Sequence, residues 1–342
     1  MTSKLTTLVG IVLLLSCSSI HKTELTDTEK RDERFLILTA DDFGASENIN
    51  EGIKFAVENN SITTISALTN FKESLSDLEK LSLEHPNIGI GVHLNIITGK
   101  PILEAEEVPT LVNASGEFYT IDALLPKIKE ISLDDLRKEL RAQIDELNKH
   151  NINVDHLSDQ CGILSYYNSY FDIVIELATE YNLPIRSPLI ASKKYPKLFS
   201  NSQMKKRYRK IAFKCACTHP IKGLGLLKYA KLNEMENKAE KLDDFGIIHP
   251  DLLVDCFWGE PTASNLIYIL ENLPKGTSEL VLHFGSYSHP DNSPNGLDCE
   301  YFENRENELI TFTSEYLKEY FTHLNIKTIG YSDISIKQKD TN

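Results

Sequence analysis

The chain has 342 residues, a net charge of −14, 25% charged and 41% apolar side chains. That composition is globular rather than disordered and is large enough for a core of its own. The acidic balance excludes nucleic acid as the main partner, because phosphate contacts need a cationic face.

The N-terminus reads as an export signal. Lys4 is followed by the apolar run Leu8-Val9-Gly10-Ile11-Val12-Leu13-Leu14-Leu15, which is too short to span a bilayer and has the proportions of a signal-peptide core. It ends in Leu14-Leu15-Ser16-Cys17. Leucine, a small residue and then cysteine resembles a bacterial lipobox, so residues 1–17 are expected to be a lipoprotein signal peptide with Cys17 as the lipidation site. The polar stretch 18–33 is expected to be a flexible tether, and 34–335 a single α/β domain. The protein is thus expected to be exported and anchored to a bacterial membrane through acyl chains. Of the 6 cysteines, those after Cys17 have no zinc-ribbon spacing and read as buried or incidental.

Strand and helix patterns then alternate. Phe35-Leu36-Ile37-Leu38-Thr39-Ala40 is a continuous apolar run, as in a strand buried on both faces. Ser46 is placed as the N-cap of a helix carrying Ile49, Ile53 and Ala56. A β-branched strand follows over 63–68, a polar helix over about 72–84 and a strand over 88–94 ending at His93 and Leu94. Residues near 98–130 contain Pro101, Pro109 and Gly116 and read as an insertion that covers or contacts substrate. Leu136, Leu140, Ile144 and Leu147 share one face of the strongest helix, about 133–150. A short strand is expected over 154–157 and a helix over 170–181. A second insertion is placed near 190–250, then a helix near 263–273, a strand over 279–284, a helix near 306–321 and a last strand over 326–330. Repeated βα units imply a parallel sheet, open or closed, with its site at the C-terminal strand ends.

Reactive side chains fall at those ends: Asp41 and Asp42 after the first strand, His93 after the third, His156 on the short strand and His283 on the late one. Successive side chains on a strand point to opposite faces, so Asp42 must already be bending toward Gly44 if both carboxylates are to serve one site. Such a pair could place one carboxylate on a cation and the other beside an acidified water. Paired carboxylates also suggest a glycosidase, but adjacent residues cannot easily flank a scissile bond from both sides. Trp258 reads either as a sugar-stacking platform or as core.

Thr39-Ala40-Asp41-Asp42-Phe43-Gly44, Ile62-Thr63-Thr64-Ile65-Ser66-Ala67 and Gly89-Ile90-Gly91-Val92-His93-Leu94-Asn95, with matching stretches at 154–160 and 279–285, resemble the YdjC-like carbohydrate deacetylases. The resemblance runs through most of residues 34–333 in order. It implies a (β/α) barrel-like deacetylase fold, possibly incomplete or distorted, and metal-dependent hydrolysis of an N-acetyl group on an amino-sugar oligosaccharide. It also implies Asp42 and His93 as metal ligands, Asp41 as base, and His283 as general acid or oxyanion stabiliser. The family's middle motif reads His-x-Asp-Ser-His with its last histidine as third ligand; here it is His156-Leu157-Ser158-Asp159-Gln160. Gln160 stands at the ligand position, with Asp159 or His156 as supporting or alternative ligands. A glutamine oxygen suits a hard ion such as Mg²⁺ better than Zn²⁺, and either remains open as the divalent cofactor. Phe284 also stands where the family has proline after the late histidine. The alternative to a deacetylase is a glycan-binding homologue weakened or inactivated by Gln160.

Overall fold

The apolar run after the expected tether forms β1, Arg34–Phe43, with every residue from Leu36 onward buried. In the computed structural model the described residues are 33–190, 232–286 and 299–334, with positions 195, 197, 198 and 213. Cys17, the leader and nearly all of the tether lie outside them, as do Cys215, Cys217 and most of the second insertion. Among the described residues no helix is long and apolar enough to cross a membrane.

β1 is the centre of a parallel sheet. It pairs with β2, Thr64–Ala67, along its C-terminal half, with β7, Ile326–Thr328, along Arg34–Leu36, and with β6, Gly276–Leu282, on its other side. β3, Gly89–Leu94, joins β2; β4, Leu157–Asp159, joins β3; and β5, Leu252–Val254, joins β6, giving the order β4-β3-β2-β1-β6-β5. The gap between β4 and β5 is crossed by an extended segment. Leu157 N–H donates to Pro184 O at 2.8 Å, Arg186 N–H to Leu157 O at 2.8 Å and Leu253 N–H to Leu189 O at 2.9 Å. The sheet therefore curls into a barrel-like wall whose last side is irregular chain, and that chain carries Arg186.

Helices pack outside. Leu136, Leu140, Ile144 and Leu147 of the helix Leu133–Lys149 are all fully buried, each contributing roughly 1.5–3 kcal/mol by leaving water. The helix Glu47–Glu58 starts at Ser46, whose hydroxyl accepts from Ile49 N–H as expected of an N-cap. The first insertion is ordered: Val108, Leu111, Phe118 and Leu124 are buried, and Glu139 holds it by accepting from Ile102 and Leu103 N–H.

Four expectations shift. The short strand becomes regular at Leu157 rather than 154, although Asp155 and His156 already exchange backbone bonds with Ile90 and Val92. The late strand ends at Leu282, so His283 lies just beyond it. The single helix expected near 306–321 is two, Cys299–Phe312 and Glu315–His323. At the break the hydroxyls of Thr313 and Ser314 donate to Leu309 O and Thr311 O, each at 2.8 Å, which competes with the helical ladder. Finally, β5 and the helix Leu232–Asp244 were not anticipated; the helix falls within the stretch read as insertion and β5 just after it.

Candidate active site

A cavity of about 460 Å³ opens at the C-terminal ends of the strands, lined among others by Asp41, Asp42, His93, Gln160, Trp258 and His283. Thr98, Gly99, Asn113, Glu117 and Phe118 of the first insertion also line it.

Both aspartates reach it because β1 is bulged. Ala40 faces Ile65 and Phe43 faces Ala67, so β1 carries one extra residue between the two pairs. Asp42 takes φ 75°, a left-handed conformation rare outside glycine, and Gly44 at φ 106° completes the turn. The alternation of a regular strand is thereby broken where two adjacent carboxylates must converge.

Each carboxylate is then held by an arginine. Arg186 donates Nη1 to Asp41 Oδ2 and Nη2 to Asp41 Oδ1, both at 2.7 Å, and Nε to Glu279 Oε1 at 3.0 Å. Arg305 Nη2 donates to Asp42 Oδ2. Burial alone pushes the Asp41 carboxyl up, but Arg186, then His93, outweigh it and hold it well below the usual carboxylate range. Burial also opposes ionisation of Asp42, and Arg305 followed by His283 and His93 brings it down. The second oxygen of Asp42, Oδ1, is buried and has no hydrogen-bond partner among the described residues.

That orphaned oxygen lies 3.7 Å from His93 Nε2, and Asp41 Oδ2 lies at the same distance. Two donors that share one ion at about 2.1 Å each can be at most about 4.2 Å apart, so Asp42 and His93 satisfy the condition. Among the described residues no three His, Cys, Asp or Glu side chains form a cation site by themselves. Gln160 lines the same cavity immediately after β4. Asp159 also lines it, but its oxygens accept from Ser165 N–H at 2.9 Å and Ser165 Oγ–H at 3.1 Å. His156 is fully buried outside the lining, with Nε2 on Ser66 Oγ at 2.9 Å and Nδ1 on Asp155 Oδ1 at 2.6 Å.

His283 is half-buried with its ring centroid 5.5 Å from that of Trp258. Burial, reinforced by Arg305, lowers its pKa to about 4, so the ring is neutral at physiological pH. Its Nδ1 has no partner among the described residues, while its backbone N–H donates to Glu308 Oε2 at 2.6 Å. His249 bonds Pro250 O and Asp243 and is not among the residues that line the cavity. Arg186, Arg305 and Glu279 escaped the sequence reading. The one available signal was a charge inside an apolar strand, as at Glu279 before Leu280-Val281-Leu282.

The family model described as YdjC-like protein matches residues 35–323. A carbohydrate deacetylase of Clostridium beijerinckii is 25% identical over 87% of this chain and 99% of its own length. A carbohydrate deacetylase of Halalkalibacterium halodurans is 34% identical over 44% of this chain and 63% of its own. A chitooligosaccharide deacetylase of Proteus mirabilis is 29% identical over 46% of this chain and 61% of its own. Among solved structures, an Enterococcus faecalis protein named as a candidate for cleaving cellobiose phosphate superposes with a TM-score of 0.68 at 22% identity, covering 88% of this chain and 98% of its own. The fold is therefore shared along nearly the whole length of that protein. With the family model matched from the first strand almost to the last, this chain belongs to the YdjC-like protein family.

Proposed function

We propose that this protein is a carbohydrate deacetylase that uses a divalent cation to hydrolyse the N-acetyl group of an amino-sugar oligosaccharide. The observation that carries the reading is the convergence of Asp41, Asp42 and His93 at one cavity wall, with Asp42 Oδ1, which has no hydrogen-bond partner among the described residues, 3.7 Å from His93 Nε2. Relatives named as carbohydrate and chitooligosaccharide deacetylases support the substrate class.

Asp42 Oδ1, His93 Nε2 and the Gln160 side-chain oxygen would hold the cation. When bound it supplies Lewis acidity, polarising the amide carbonyl and lowering the pKa of a water. Asp41 would accept the proton of the attacking water on its carboxylate. Because Arg186 holds its carboxyl far below the ordinary range, Asp41 is matched as a base only to a strongly acidified water. Arg186 also fixes the rotation of the carboxylate through two parallel bonds. His283, neutral at rest, offers an N–H to the developing oxyanion, and a proton relayed from Asp41 completes the leaving amine. Trp258 and the first insertion supply the apolar and polar walls against which a sugar ring rests. The test is acetate release from N-acetylglucosamine oligomers with Mg²⁺, Mn²⁺, Co²⁺ or Zn²⁺ against a chelated control. No release from any N-acetyl sugar with any of these ions would sink the proposal.

The leader places this chemistry outside the cytoplasm in our reading, tethered through lipidated Cys17. Incorporation of labelled palmitate that disappears in Cys17→Ser is the expected result; equal labelling of both proteins would overturn it.

A further inference from the structure

His93 has a second ring nitrogen, and a line of buried polar side chains that the proposed chemistry does not use ends on it. His93 Nδ1 is 2.8 Å from Ser158 Oγ, Ser158 Oγ is 3.0 Å from Ser66 Oγ, Ser66 Oγ is 2.9 Å from His156 Nε2, and His156 Nδ1 is 2.6 Å from Asp155 Oδ1. Ser66, Ser158 and His156 are buried, and none of the four residues behind His93 lines the cavity.

We propose that Asp155, His156, Ser66 and Ser158 are positioning residues, a proton-ordered line that holds His93 in the tautomer with hydrogen on Nδ1 and a bare Nε2 facing Asp42. The cation part of this inference rests on the function proposed above; the tautomer part does not.

The order follows from what each group can donate. A carboxylate only accepts, so His156 Nδ1 carries the hydrogen directed at Asp155 and neutral His156 presents a bare Nε2. Ser66 therefore donates to His156, and its oxygen is left to accept. It accepts from Ser158 and from Arg186 Nη2, which approaches at 3.4 Å and can only donate. Ser158, having donated its hydrogen, accepts from His93 Nδ1–H. Nε2 is then the lone-pair nitrogen a metal ligand requires. The reversed order needs either a protonated Asp155 donating to His156 Nδ1 or an imidazolium at His156, fully buried and one hydroxyl away from the Arg186 guanidinium.

The space for the line is built into β3. Gly89, Gly91 and His93 are two residues apart and so share one strand face. A Cβ at Gly89 would meet Asp155 Oδ2 at 2.1 Å, and one at Gly91 would meet the His156 ring at 2.2–2.5 Å. On its other side the His156 ring stacks on Tyr331, centroids 4.1 Å apart and planes within 2°. The imidazole is clamped between a bare backbone and an aromatic face, which fixes where its two nitrogens point.

The test uses metal-free protein labelled with ¹⁵N-histidine, with the His93 signal assigned by its loss in His93→Gln. Nitrogen–proton correlations should show one tautomer in the wild type, protonated at Nδ1. Ser66→Ala, two hydrogen bonds from His93, should give a mixture, and Asp155→Asn should do the same without removing a hydroxyl from the core. In both variants the Kd for Co²⁺ or Mn²⁺, measured by calorimetry, should rise by about tenfold or more. A wild-type His93 protonated at Nε2, or an Nδ1–H tautomer unchanged in both variants, overturns the proposal even if Tm falls. If the wild type shows the ordered tautomer but releases no acetate, the function fails and the line stands.

Discussion

Arg186 meets Asp41 head-on, with two parallel N–H···O bonds of 2.7 Å, while its Nε reaches Glu279 on the neighbouring strand β6. Glu279 in turn accepts from Thr39 Oγ1 at 2.7 Å and Tyr331 O–H at 2.6 Å, so one guanidinium arriving on irregular chain ties the expected base to the centre of the sheet. Replacing it by methionine leaves two buried carboxylates without their cation. Arg186→Met is expected to lose about 3–5 kcal/mol of unfolding free energy and at least about a hundredfold in kcat. Arg186→Lys, which keeps charge but not the fork, should fall between the two. Chemical denaturation and steady-state kinetics measure both; wild-type kcat in Arg186→Met would contradict the role given to Asp41.

Gln160→His tests the composition of the cation site. Imidazole is the better ligand for Zn²⁺ and an amide oxygen for harder ions. The variant should bind Zn²⁺ at least about tenfold more tightly and gain nothing for Mg²⁺. Calorimetry with both ions reads this directly, and unchanged Zn²⁺ affinity would remove residue 160 from the ligand set.

Glu308 predicts a pH dependence of stability. Burial pushes its carboxyl from 4.5 up to about 8. Between those values the unfolded chain has lost the proton and the folded protein keeps it, so this group makes stability fall as pH rises through that window and level off above it. Glu308→Gln, which retains an oxygen for the His283 N–H, should be flatter between pH 5 and pH 8 and gain at least about 1 kcal/mol over wild type at the upper end. Asp41 and Asp42 act oppositely. Their folded pKa values are depressed, so their contribution is present above the ordinary aspartate range and is lost as pH falls below it. Denaturant titrations across pH 3–8 on both proteins separate the two limbs.

Gly91→Ala should be costly for a buried strand position. Its methyl would sit 2.2 Å from His156 Cε1, an atom held by Tyr331 and two hydrogen bonds and unable to swing away. A loss of about 1–3 kcal/mol is expected, as for overpacked cores, together with a weaker cation site. A variant as stable as wild type would show that the ring is not clamped.

Trp258→Ala separates platform from core. Trp258 is half-buried, lines the cavity and packs against His283. The truncation should raise KM by about tenfold, the equivalent of about 1.4 kcal/mol of lost ring contact, with a smaller change in Tm than a core tryptophan would give.

Much of the scaffold could be read directly from residue order. The runs at 36–40 and 90–94 are buried on both faces of a parallel sheet, and such burial leaves a largely apolar signature without polar alternation. The helix Leu133–Lys149 announces itself because its buried face recurs every turn. β5 did not, since three residues are too few for a period and its strand identity comes from pairing with β6. The break at Thr313 and Ser314 depends on which way two hydroxyls turn, a choice the pattern of apolar residues does not record.

By itself the order of residues determined the alternation of strands and helices, the sheet type, and the presence of Asp41, Asp42, His93, Gln160 and His283 at strand ends, because periodicity and burial are local properties. Residue order also implied that Asp42 bends out of the strand, but tertiary structure alone decided that the bend is a bulge between Ala40 and Phe43, that Arg186 and Arg305 claim one carboxylate each, and that His156 lies behind His93 rather than beside it. Those outcomes depend on contacts between residues as many as 263 positions apart, and an electrostatic or hydrogen-bond partner is defined by distance in space.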